Sequence, residues 1–241
     1  MEVIKISLGG NFAHFGINGS NDKNNRYSFQ HIPGSTLKGL LGSIGGYNGW
    51  NQMDKKDKIP EFLNKLKDIS YGIVPGKYKF NSVIQTYSNT SGVNKNDNGA
   101  SNLQVYEEVL ENVFWDIYLL NIPEDLKKNL IEGKSVYPIC LGKRGYFVNK
   151  FHVEILQGEE INSNEIDSIF PMEYFQEEEE DILDITLDDE KIDSYNQFIF
   201  LYSEDFFKGT KSYVLSKNQL NETVKAIKVE NKNIFMIGGN L

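Results

Sequence analysis

The chain has 241 residues, 39% hydrophobic, 12% aromatic and 24% charged, with 34 acidic against 25 basic side chains and a formal charge of −9. This is ordinary globular composition, and it excludes a disordered tail or a fibrous repeat. The single cysteine, Cys140, excludes an intramolecular disulfide and a thiolate zinc cage built from this chain alone.

Val3, Ile4, Ile6 and Leu8 alternate with Lys5 and Ser7, which predicts a strand over residues 2–8, ended by Gly9-Gly10. A loop rich in Gly, Asn and Asp follows, up to Gly34. Leu37, Leu40, Leu41 and Ile44 then recur at helical spacing and predict a helix over 35–46 with Ser35 as N-cap. Gly39, Gly42 and Gly46 share another face of it. Each interior glycine costs about 0.5–1 kcal/mol relative to alanine, so three imply that a strand, a partner or a ligand approaches the backbone closely. Further helices are expected at 59–69 and 123–131.

Strands are expected at 77–87, 103–122, 136–141, 146–156, 197–203 and 211–215, and a final hairpin pairs 224–229 with 234–237. Residues 90–102 are nearly all turn formers and read as the tip of a projecting hairpin unit, 77–122. Residues 157–191 read as an acidic connection. Unevenly alternating strands and helices with several hairpins imply a single α+β domain, 1–241, with an antiparallel sheet.

The charge is unevenly spread. Residues 1–157 carry 16 Lys and 2 Arg against 15 acidic groups, whereas 158–241 carry 7 Lys against 19. A polyanionic partner would meet the front of the chain, and the acidic runs at 177–181 and 188–190 read as a solvated segment that repels phosphate. No apolar run reaches the ~18 residues of a membrane span, and the start MEVIKISLGG does not read as a secretory leader. A cytoplasmic protein with no membrane partner is therefore expected.

The three histidines, His14, His31 and His152, show no metal-motif spacing. No nucleophile elbow or phosphate loop is present, so neither metal nor cofactor is expected. Cys140 lies between Ile139 and Leu141 and reads as a buried small residue. The strongest chemical signals are cationic. The first turn of the 35–46 helix offers amide groups at Ser35 and Thr36, with Lys38 nearby, to an anion. Gly142 and Gly145 permit a tight turn with Lys143 and Arg144 at its tip. Phe12, Phe15, Tyr27 and Phe29 flank the basic front loop, where they either stack on bases or pack in the core, the latter for at least half of them. His14, His31, Tyr27 and Lys38 also lie close in sequence. They are the residue types of a metal-independent endoribonuclease, the alternative function, which needs a general base, a general acid and a cation around a 2′-hydroxyl.

GNFAHFGIN followed by RYSFQHIPGSTLKGLLGSIGGYNG resembles the start of the Cas-five family, RAMP-type subunits of type I CRISPR Cascade complexes, with type I-B as candidate subtype. The matching features are Ala13-His14-Phe15 and the Pro33–Gly42 segment. LENVFWDIYLL resembles the family's mid-chain strand, and YPICLGKRGYFV its Pro-x-x-Leu-Gly segment at Pro138, Leu141 and Gly142. Where the family often carries a basic residue after Ala-x-Phe, this sequence has Gly16, and Arg26 offers a cation from the same loop.

The resemblance implies a ferredoxin-like (RRM-like) RAMP core with a β-hairpin thumb, for which 77–122 is the candidate. It implies a non-catalytic subunit for antiviral DNA interference, which binds and caps the 5′ handle of CRISPR RNA. Its partners would be the Cas-seven backbone subunit, the Cas-eight large subunit and, indirectly, target DNA. The expected RNA contacts are His14, Arg26, Tyr27, His31, Ser35, Thr36, Lys38, Lys143 and Arg144.

Overall fold

The computed structural model describes residues 1–17, 24–90, 102–174, 197–204, 209–220 and 222–238; the acidic runs at 177–181 and 188–190 and residues 91–101 of the expected hairpin tip at 90–102 lie outside them. Two long strands organise the chain. β1 (Glu2–Ala13) lies between β5 (Asn102–Leu120) and β6 (Lys150–Ser163), antiparallel to both. β3 (Ser70–Pro75) extends the sheet beyond the C-terminal half of β5, and β4 (Ser82–Thr90) pairs with its N-terminal half. β2 (Asn25–Arg26) runs parallel to β5 at Tyr106 and Glu107. On the far side of β6 follow β10 (Val224–Val229) and β11 (Lys232–Ile234). A second sheet has the order β7 (Phe170–Pro171), β9 (Lys211–Ser216), β8 (Gln197–Tyr202).

Alternation along β1 explains the layers. Ile4, Ile6 and Leu8 face a core shared with Leu37, Leu40, Leu41 and Ile44 of α1 (Gly34–Gly45) and with Leu126 and Leu130 of α3 (Glu124–Ile131). Each such buried aliphatic side chain contributes about 1.5–3 kcal/mol. Val3 points the other way and packs with Tyr118, Ile227, Val229 and Ile234. The sheet is therefore covered on one face by helices and on part of the other by the C-terminal hairpin. The molecule is sheet-dominated α+β.

Several expectations are corrected. β1 does not stop at Gly9-Gly10, because these glycines provide clearance rather than a turn. A Cβ on Gly10 would stand 2.5 Å from Leu141 Cδ1, and one on Gly9 would stand 2.9 Å from the Val113 carbonyl. The N-cap of α1 is Pro33, not Ser35. α2 is only Glu61–Lys65, and the chain then enters β3, a strand the periodicity did not reveal.

Residues 136–141 form no strand. The Val136 and Tyr137 amides instead donate to the Ile44 and Ser43 carbonyls at the end of α1. Helix-terminal carbonyls need such partners, and this segment supplies them. Cys140 is accordingly half-buried rather than a core residue. The first part of the expected acidic connection is the end of β6, where Glu159 pairs in register with Lys228. The β4–β5 pairing runs from Ser82↔Leu110 to Thr90↔Asn102, whereas residues 115–120 lie in the sheet between β1 and β3.

Candidate nucleic-acid interface

α1 and the 142–145 turn line one open groove of about 780 Å³. α1 contributes Ser35, Thr36, Gly39 and Ser43, and the turn contributes Gly142 and Arg144. Trp50, Asn51, Gln52 and Tyr137 also line it. Arg144 is exposed, as are Trp50 (44%) and Tyr137 (42%). The groove thus combines a guanidinium, hydroxyls and amides with two large accessible rings. Trp50 and Tyr137 carried no expectation from the sequence, although a Trp between polar residues and a Tyr beside Pro138 are signals that single out surface aromatics.

Backbone geometry fixes the turn. Gly142 has φ +80°, and a Cβ there would lie 2.0 Å from the His14 carbonyl oxygen. Only glycine lets the turn sit against that backbone. The Tyr146 amide donates to the Lys143 carbonyl at 3.1 Å and closes the turn. The glycines of α1 serve different ends. Gly42 admits Phe62 of α2, whose Cβ would be 2.7 Å from an added methyl, and Gly46 caps the helix at φ +76°. Gly39 lines the groove. The close approach expected of all three is therefore internal packing at Gly42 and, against Val136, at Gly46.

The first turn of α1 is partly occupied: the Gly34 amide donates to the Ser203 carbonyl at 2.9 Å. Ser35 and Thr36 line the groove beyond it. Lys38 does not present its ammonium to this surface, since it is 6% exposed and already interacts within the chain. As a phosphate contact it is corrected.

His31 is also corrected. Its ring is fully buried, edge-on to Phe80 and Phe200. Nε2 is 2.9 Å from the Tyr78 carbonyl, and Trp115 Nε1 donates to Nδ1 at 3.5 Å. Because that Nδ1 accepts, Nε2 carries the proton and the ring is neutral. Burial pushes its pKa down to about 3, against a smaller opposing effect of the Tyr78 hydrogen bond. A ring sealed in the core touches neither RNA nor a 2′-hydroxyl. His14 is 9% exposed, and its Nδ1 is 2.7 Å from the Glu108 carbonyl. Nδ1 therefore donates to that carbonyl, and Nε2 lies on the side of Gly16, a residue of the groove wall. Among the expected stacking residues, Phe15 and Phe29 are core, whereas Phe12 and Tyr27 are exposed.

Arg26 and Lys143 converge on Glu107 of β5, a carboxylate only 1% exposed. Lys143 Nζ donates to Oε1 at 2.5 Å, the Tyr87 hydroxyl donates to Oε2 at 3.2 Å, and Arg26 Nη1 lies 3.7 Å from Oε2. The Lys143 ammonium also sits 5.1 Å from the Tyr87 ring centroid and 5.8 Å from that of Tyr146. Burial works to raise Glu107, but the Lys143 hydrogen bond and the charges of His14 and Lys143 outweigh it, and the carboxyl is held below its ordinary value. Burial likewise works to lower Lys143, and Glu107 outweighs it in the upward direction. Both groups are charged at neutral pH.

Among the described residues, no cluster of three His, Cys, Asp or Glu is placed to hold a metal ion, and no helix is long and apolar enough to cross a membrane.

No family model and no curated protein matches the sequence. Solved structures do. The chain aligns over its whole length with the whole of a CRISPR protein from Archaeoglobus fulgidus, at TM-score 0.54 and 13% identity. It also aligns with a chain of a CRISPR RNA-guided surveillance complex, covering 91% of each at TM-score 0.51 and 10% identity. The chain shares its fold with these CRISPR-associated proteins.

Proposed function

We propose that this chain is a Cas-five-type subunit of a type I CRISPR complex, which binds the 5′ handle of CRISPR RNA in the groove between α1 and the 142–145 turn. The observation that carries the reading is the meeting of those two distant segments in one groove, with Arg144, Trp50 and Tyr137 exposed on it. Single-stranded RNA is bound by such a set: cations on the backbone, rings under unstacked bases, and hydroxyls and amides on base edges.

The topology supports a ferredoxin-like core. Strand order β6-β1-β5-β3, all antiparallel, with α1 after β1 and α3 after β5, is the order of a split βαβ pair. On this reading the β4–β5 hairpin is the thumb, and it reaches toward the Cas-seven backbone while the large Cas-eight subunit and target DNA join the assembly. The subunit holds RNA rather than cutting it. The sealing of His31 and Lys38 supports this, because a general base must reach the proton it removes.

The test is a binding measurement on the purified full chain with CRISPR RNA that carries or lacks its repeat-derived 5′ handle. The handle is expected to raise affinity, and the RNA is expected to remain intact after metal-free incubation. Equal affinity for the two RNAs overturns the capping role; clean cleavage at the repeat overturns the non-catalytic one.

A further inference from the structure

A carboxylate as buried as Glu107 is strongly unfavourable without compensation, so its partners carry structural meaning. Those partners come from three separate segments: Lys143 from the 142–145 turn, Arg26 from β2 and Tyr87 from β4. The tip of the turn needs an anchor. Gly142 and Gly145 both have positive φ, and an added Cβ on Gly145 would meet nothing within 4 Å. The backbone closes the turn at its base, through the Leu141 amide on the Tyr146 carbonyl at 2.7 Å, but holds its tip to no other segment among the described residues. Lys143 supplies the tether, with its ammonium held by Glu107 and flanked by the Tyr87 and Tyr146 rings. The Tyr146 hydroxyl donates in turn to Gln85 Oε1 at 3.0 Å, so β4 braces both ends of the turn.

We infer that Glu107 is the positioning residue of the groove: by gripping Lys143 it sets the 142–145 turn so that Arg144 is presented to RNA. This rests on the proposed function, because Arg144 matters only if the groove takes RNA. Lys143 and Arg26 then belong to the anchor, and the buried acid beside them improves RNA binding. Electrostatics alone demands the reverse, since removing a negative charge near a phosphate site should strengthen binding. The two accounts differ in sign.

The experiment is a double-mutant cycle on the full chain, read by anisotropy of a short fluorescein-labelled single-stranded RNA at fixed salt. Arg144→Ala is expected to weaken binding about tenfold, and Glu107→Gln about fivefold. Glu107→Gln in the Arg144→Ala background is expected to cost nothing more, a result that a merely structural loss would not produce. Unchanged or tighter binding by Glu107→Gln, or additive losses in the double variant, overturns the inference while leaving the groove intact. An Arg144→Ala variant that binds like the parent overturns the groove reading itself. Should Glu107→Gln fail to fold, Lys143→Met runs the same cycle; there, additive loss assigns Lys143 a direct phosphate contact and overturns the anchor.

Discussion

Lys143 and Arg144 are neighbours in sequence and differ in their surroundings. Arg144 is exposed and lines the groove, whereas Lys143 is bonded to a carboxylate that solvent barely reaches. The same contrast separates the two regions to which they belong. In the groove the polar groups and rings lie at the surface. In the clamp around Glu107 two cations and a tyrosine hydroxyl share one buried carboxylate, which joins β2, β4 and the turn. The lesson concerns counting cations. A basic residue is a candidate phosphate contact only after its intramolecular partners are known, and 2 of the 9 expected contacts, Arg26 and Lys143, share one buried acid.

The contrast breaks most completely at Gly142. Gly142→Ala adds a Cβ within 2.0 Å of the His14 carbonyl at a φ of +80°. The left-handed conformation alone costs about 1–2 kcal/mol, and the clash displaces the turn besides. Thermal unfolding is expected to show a lower midpoint, and RNA binding is expected to fall at least as far as in Arg144→Ala. A stable variant with unchanged RNA affinity rejects this account of the turn.

Stacking comes next. Trp50→Ala and Tyr137→Ala should each weaken RNA binding by about 1–3 kcal/mol, the usual worth of one base on a ring, with little change in stability because both rings are exposed. Tyr106 of β5 is similarly exposed (39%) but lies outside the groove lining, so Tyr106→Ala is expected to bind normally. Equal losses at all three positions would erase the distinction between groove and general surface.

His31 sharpens the distinction between core and site. Its pKa is held at about 3, below the ordinary 6.5, so the unfolded chain binds a proton that the folded chain refuses. Its stabilising contribution is complete above pH 6.5 and is lost as pH falls toward 3, at up to about 1.4 kcal/mol per pH unit. Urea titrations between pH 7 and 4 should show this slope, flattened in His31→Gln. An unchanged slope in the variant would assign the acid sensitivity to other groups.

The smallest effect is expected on the far side of the sheet. Lys225 of β10 lies away from both groove and clamp, beside Glu160 and Asn162 in a separate recess. Lys225→Ala should leave RNA affinity unchanged at moderate salt, since screening removes distant charges beyond about 10 Å. A tenfold loss would relocate the RNA surface.

The sequence by itself determined what periodicity and turn chemistry encode. Alternation marked the first strand, i/i+3/i+4/i+7 spacing marked α1, and Gly142 and Gly145 marked the cationic turn. It also supplied the expectation that α1 and that turn act together, through resemblance rather than through any local rule. Only the tertiary structure decided which groups face solvent. His31 and Lys38 read as contact residues, yet both are buried, and the segment before β4 and the second sheet close over the His31 ring. Glu107 looked like any acid on a strand until β2, β4 and the turn met over it. Burial and ion pairing join residues far apart along the chain, so no window of sequence contains them; strand identity and helix faces are properties of neighbouring residues, which a window does contain.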